Sequence, residues 1–118
     1  MNEDFVTYEL AIKLKEKGFR EKVNAYYGKH ENIFEIHPAL DMNDADYGAS
    51  APTISQVLKW LREEKKIYIQ ILFTCPPNKW EYITVKMTNN EHRGMCATFT
   101  SYEQAALAGI KYVLDNLI

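Results

Sequence analysis

The chain is poor in the residues that specialised chemistry needs. It has two cysteines, Cys75 and Cys96, and they follow no CxxC spacing. A paired-thiolate metal knuckle or a thioredoxin-like dithiol is thereby excluded, and reduced thiols of a cytoplasmic protein are the simplest reading. Three histidines, His30, His37 and His92, are scattered, whereas metal ligands normally come in close pairs. No glycine-rich phosphate loop and no GxSxG elbow occurs among the five glycines. No apolar run approaches the ~20 residues that span a bilayer. The opening MNEDFVTYEL is acidic and lacks the apolar core of a signal peptide. Neither sign of charge dominates: 14 Lys and Arg against 16 Asp and Glu leave −2, so there is no global attraction to nucleic acid or an anionic membrane.

What is present is a core. At 118 residues and 47% hydrophobic, the sequence predicts one α+β domain over 1–118 that needs neither disulfide nor metal. It is organised around residues 52–74, PTISQVLKWLREEKKIYIQILFT. Thr53 and Gln56 have the spacing of a capping box. Ile54, Val57, Leu58 and Leu61 then recur with the helical period, and from Ile67 the period becomes two. Ile67, Ile69, Ile71 and Phe73 point one way, and Tyr68, Gln70, Leu72 and Thr74 the other.

Ahead of this stretch, a helix starts at Thr7, buries Leu10, Ala11 and Leu14, and stops at Gly18. Strand-like residues 23–27, turn residues 28–31 and residues 33–36 read as a hairpin, and 37–50 as a loop. Behind it, Pro76 and Pro77 force a turn and 80–87 is a strand with Ile83, Val85 and Met87 on one face and Trp80, Tyr82 and Thr84 on the other. Residues 95–100 form a last short strand. A helix capped by Ser101 and Gln104 closes the chain, with Gly109 marking a close approach to the sheet. The order is α-β-β-α-β-β-β-α, a mainly antiparallel sheet with helices on one face. Leu58, Leu61, Ile69, Ile71, Val85, Phe99 and Val113 are the candidate core.

Leu14-Lys15-Glu16-Lys17-Gly18-Phe19, Ala25-Tyr26-Tyr27, Ala51-Pro52-Thr53 leading to Trp60-Leu61-Arg62-Glu63, and Ser101-Tyr102-Glu103 with Gly109 occur here in that order. Together they resemble a group of small uncharacterised bacterial proteins often found among phage and mobile-element genes. The resemblance covers nearly the whole chain. Its motifs are caps, turns and core positions, and it implies no catalytic residue.

Candidate sites weigh as follows. Asp41, Asn43, Asp44 and Asp46 suggest a calcium loop, but an EF-hand starting at Asp41 would place Ala45 at a ligand position, so a turn-rich loop is favoured. Cys75 precedes two prolines and Cys96 lies in a strand, and neither has a helix N-terminus to activate it. The helix-strand-turn-strand order at 53–87, with Lys59, Arg62, Lys65, Lys66 and Lys79, resembles a winged helix, although Glu63 and Glu64 share that helix and the partner helix is missing.

The second sheet face is more informative. If the isoleucines pack under the helices, Tyr68, Leu72, Trp80 and Tyr82 form an apolar reverse side that needs a cover. The expectation is a non-enzymatic cytoplasmic accessory protein, without cofactor or metal, that acts through protein–protein contact, including a possible homodimer. The alternative is a nucleic-acid-binding module, and a small-ligand enzyme stands behind both.

Overall fold

The computed structural model describes residues 5–44, 48–75, 78–94 and 98–118, and within these the side chains of all but 36–38, 44, 93 and 94. The chain divides into two compact units, Met1–Thr53 and Ile54–Ile118, and each has its own three-stranded antiparallel sheet.

In the second unit the change of period at residue 67 is a helix running into a strand. The stripe Ile54, Val57, Leu58 and Leu61 is buried in α2 (Ile54–Glu64). Trp60 is buried with it, and the Lys65 ammonium lies 5.3 Å from the Trp60 ring centre. Lys66 takes the left-handed conformation (φ 57°) that turns the chain out of the helix. β4 (Ile67–Thr74) pairs with β5 (Lys79–Lys86), and β5 with β6 (Glu91–Gly94), in the order β4-β5-β6. α3 (Tyr102–Asn116) packs on β4 and β5, and α2 contacts both α3 and β4. Gly109 explains how close α3 comes: a Cβ there would sit 3.0 Å from Ile69 Cγ2 and 3.2 Å from the Tyr82 ring.

In the first unit, α1 (Tyr8–Glu16) is capped by Thr7 and ends at Gly18 (φ 88°), after which Phe19 N–H returns to Leu14 C=O (3.0 Å) and Phe19 is wholly buried. β1 (Val23–Tyr27) is central, with β2 (Ile33–Leu40) on one side and the two-residue β3 (Ala49–Ser50) on the other. Tyr8 meets Tyr27 edge-on, and the Tyr27 hydroxyl donates to Val6 C=O (2.6 Å). Val6 N–H donates to Pro52 C=O (3.0 Å), so the segment before α1 is tied to the one before α2.

The helix–strand order matches the sequence reading, with two differences of extent and one added two-residue strand. β2 runs on through Pro38 to Leu40, because it is an edge strand and an edge tolerates a residue without an N–H. The stretch read as a loop holds a 3-10 turn (Met42–Asp44) and β3, fixed by Asn43. The buried Asn43 carboxamide donates to Phe19 C=O (2.7 Å) and accepts from Ser50 N–H (2.8 Å), while Asp41 pairs with Arg20 (2.6 Å). The last strand is Glu91–Gly94, and of the expected 95–100, residues 95–97 lie outside the described ones. Phe99 forms a single bridge to Trp80.

Two helix starts can be tested directly. Ser101 Oγ accepts from Gln104 N–H (3.1 Å) and Thr7 Oγ1 from Leu10 N–H (3.3 Å). The Gln104 side chain reaches one residue further back than a standard capping box, to the N–H (3.2 Å) and hydroxyl (2.6 Å) of Thr100. Ser101→Ala and Thr7→Ala should each lower stability by ~0.5–2 kcal/mol in thermal or urea melts, through loss of the amide's acceptor.

Candidate interaction surface

The ladder register decides which residues share a face. Ile69 lies opposite Thr84, Ile71 opposite Tyr82 and Phe73 opposite Trp80. Directly paired residues point to the same side of a sheet. The α3 side therefore carries Ile67, Ile69, Ile71 and Phe73 from β4 with Trp80, Tyr82 and Thr84 from β5. The reverse side carries Tyr68, Gln70 and Leu72 with Glu81, Ile83 and Val85.

This corrects the expected face of Tyr68, Leu72, Trp80 and Tyr82. The structure splits it into two pairs. Tyr68 (40% exposed) and Leu72 stand on the reverse side, whereas Trp80 and Tyr82 lie on the α3 side. Tyr82 is only 2% exposed, covered by α3 at Gly109 with Tyr112 alongside (ring centres 6.3 Å). Among the candidate core, Leu58, Leu61, Ile69 and Val113 are buried, but Ile71, Val85 and Phe99 are only half-buried. Val85 has changed sides for the same reason as Tyr82.

What the structure brings together instead is an aromatic trio at one end of the α3 side. Phe73 and Trp80 are 5.0 Å apart between ring centres, and Trp80 meets Tyr102 edge-on at 5.6 Å. Phe73 is 52% and Tyr102 38% exposed, with Trp80 half-buried between them. Phe73 belonged by alternation to the expected core face, yet it lies at the far end of its strand, and Tyr102 is the first residue of α3. Only the β4–β5 register and the start of α3 join the three. Such a surface offers area and shape for binding.

Among the described residues the other sequence candidates do not converge. His30, His92 and Cys75 are exposed, the His37 side chain and Cys96 lie outside the described residues, and Asp41 is engaged by Arg20. Among the described residues no group of three or more His, Cys, Asp or Glu is placed to hold a metal ion. A cleft of about 400 Å³ runs along Tyr8, Glu9, Ile12, Lys13 and Glu16 of α1, and none of His30, His92 and Asp41 lines it. No helix among the described residues is long and apolar enough to cross a membrane.

Two tyrosines carry a pH signature. Burial raises the Tyr27 phenol above its usual value of 10.0, and burial, followed by the neighbouring Tyr112, raises that of Tyr82. The folded state thus holds both phenols neutral after the unfolded chain has begun to ionise. Their contribution is complete below pH 10.0 and is lost as pH climbs toward the folded values. The melting temperature should fall on passing above pH 10.0, and less steeply in Tyr27→Phe and Tyr82→Phe than in the parent.

The arrangement defines a small α+β protein with an aromatic cluster at its surface. No family model matches the chain, and neither a curated protein nor a solved structure matches it.

Proposed function

We propose that this protein is a non-enzymatic accessory protein of the cytoplasm that works through protein–protein contact, with Phe73, Trp80 and Tyr102 as the contact surface. The observation that supports this is the exposure of Phe73 and Tyr102 around a half-buried tryptophan. Trp and Tyr are enriched among the few residues that carry most of the binding energy at protein interfaces. The resemblance to proteins of phage and mobile elements belongs to the same proposal. A nucleic-acid role is less well supported, because Trp60 of α2 is buried and the net charge is −2.

The test has two arms. Phe73→Ser and Tyr102→Ser, both folded by circular dichroism, should lose a partner that co-purifies with the parent from its host. DNA and RNA titrated at low and physiological salt should show no binding that weakens as salt rises. Salt-sensitive binding lost in the same variants would replace this reading with the nucleic-acid module.

A further inference from the structure

An edge strand is defined by the backbone groups it leaves unpaired. β4 pairs with β5 on one side and, among the described residues, with no strand on the other. Hydrogen-bond parity shows which groups face outward. Met87 N–H donates to Lys66 C=O (2.9 Å) in the register of the β4–β5 ladder. Lys66, Tyr68, Gln70, Leu72 and Thr74 therefore turn their backbone toward β5. Trp80 gives the same answer from across the ladder: it exchanges both bonds with Phe99 (2.9 and 2.8 Å), so Trp80, opposite Phe73, turns away from β4. Ile67, Ile69, Ile71 and Phe73 aim N–H and C=O at the free edge. Ile67 and Ile69 are buried, which closes that half. Ile71 is half-buried and Phe73 mostly exposed, and neither has a backbone partner among the described residues.

The side chains at this end are those that strand edges usually avoid. No residue of Ile67–Thr74 is charged, and none is proline. The free edge of β2 differs: it carries Glu35 and Pro38, the substitutions that discourage strand addition. We infer that residues 71–74 of β4 pair with the same segment of a second copy, antiparallel across a two-fold axis at Leu72. On such an axis each residue lies near its own copy, so a charge would meet its like, and this segment has none. Ile71 then faces Phe73 of the second copy, and both have their backbone groups turned outward. Each copy supplies two donors and two acceptors. The β-branched and aromatic side chains meet on the α3 side and the two Leu72 side chains on the other. This deepens the protein-contact reading and rests on it, since Phe73 belongs to both.

Phe73→Pro separates the possibilities. It removes an N–H that faces the free edge and leaves the β4–β5 hydrogen bonds intact, so the variant should fold. Sedimentation velocity should show the parent rising from monomer to dimer with concentration, and Phe73→Pro dimerising at least about tenfold more weakly. Amide exchange at Ile71 and Phe73 of the parent should slow over the same concentration range. If Phe73→Pro fails to fold, Phe73→Lys, which keeps the N–H but sets two cations near the axis, should show the same weakening. A parent that stays monomeric, or a dimer unaffected by the folded variant, overturns self-pairing. The co-purification arm above decides separately whether the trio binds another protein.

Discussion

Tyr82→Ala is expected to cost about 3–5 kcal/mol, the range for truncating a large buried aromatic side chain. The ring is 2% exposed, lies against Gly109 where α3 approaches the sheet, and touches Phe99 and Tyr112. Its loss leaves a void that a helix packed at backbone distance is poorly placed to fill. Val85, on the reverse side and half-buried, is the control: Val85→Ala should cost about 1 kcal/mol or less. Urea midpoints at constant slope measure both. If the ranking came out reversed, Val85 would belong under the helix and the β4–β5 register would be wrong.

The second large effect lies in the first unit. Phe19→Ala is expected to cost about 3–5 kcal/mol, again as a cavity in a packed core. Phe19 is wholly buried, its N–H closes the end of α1 on Leu14 C=O, and its own C=O takes the Asn43 amide. Truncation therefore removes packing at the point where the α1 terminus and the Met42–Asp44 turn are both anchored. Asn43→Asp keeps an acceptor for Ser50 but sets a buried carboxylate against the Phe19 carbonyl, so its loss should exceed that of a single hydrogen bond. Leu61→Ala, at a wholly buried position in the stripe of α2, belongs in the usual ~2–5 kcal/mol range.

The features readable from sequence are those with local causes. The switch from helical period to alternation placed α2 and β4 within a residue or two, Ser101 marked the start of α3, and Gly109 announced a close approach that the Ile69 and Tyr82 contacts explain. The failure at β5 also has a physical cause. In Trp80-Glu81-Tyr82-Ile83-Thr84-Val85 both parities are apolar, so alternation separates two faces without saying which one the helices take. The buried Thr84 shows that the winning face is not the more aliphatic one. Register with β4 decides it, and register is a long-range property. β3 was invisible for a related reason: two residues carry no period, and Asn43 and the central strand hold them in place. The trio was half legible, because Trp80 stood out by type, while Phe73 and Tyr102 reach it only through the β4–β5 register and the start of α3.

Each ladder closes within its own stretch of chain. Among the described residues every strand pair of the first sheet lies between Val23 and Ser50, and every one of the second between Ile67 and Gly94, with the Trp80–Phe99 bridge beyond. Synthesis delivers the chain from its N-terminus. All strands of the first sheet, together with α1 and the Pro52 carbonyl that ties down Val6, have therefore been made before the apolar strand Ile67–Thr74 exists. Emerging from the ribosome, the uncharged β4 has only to wait for the next few residues to supply β5. The interval in which its whole length is unpaired is set by the time taken to make one hairpin.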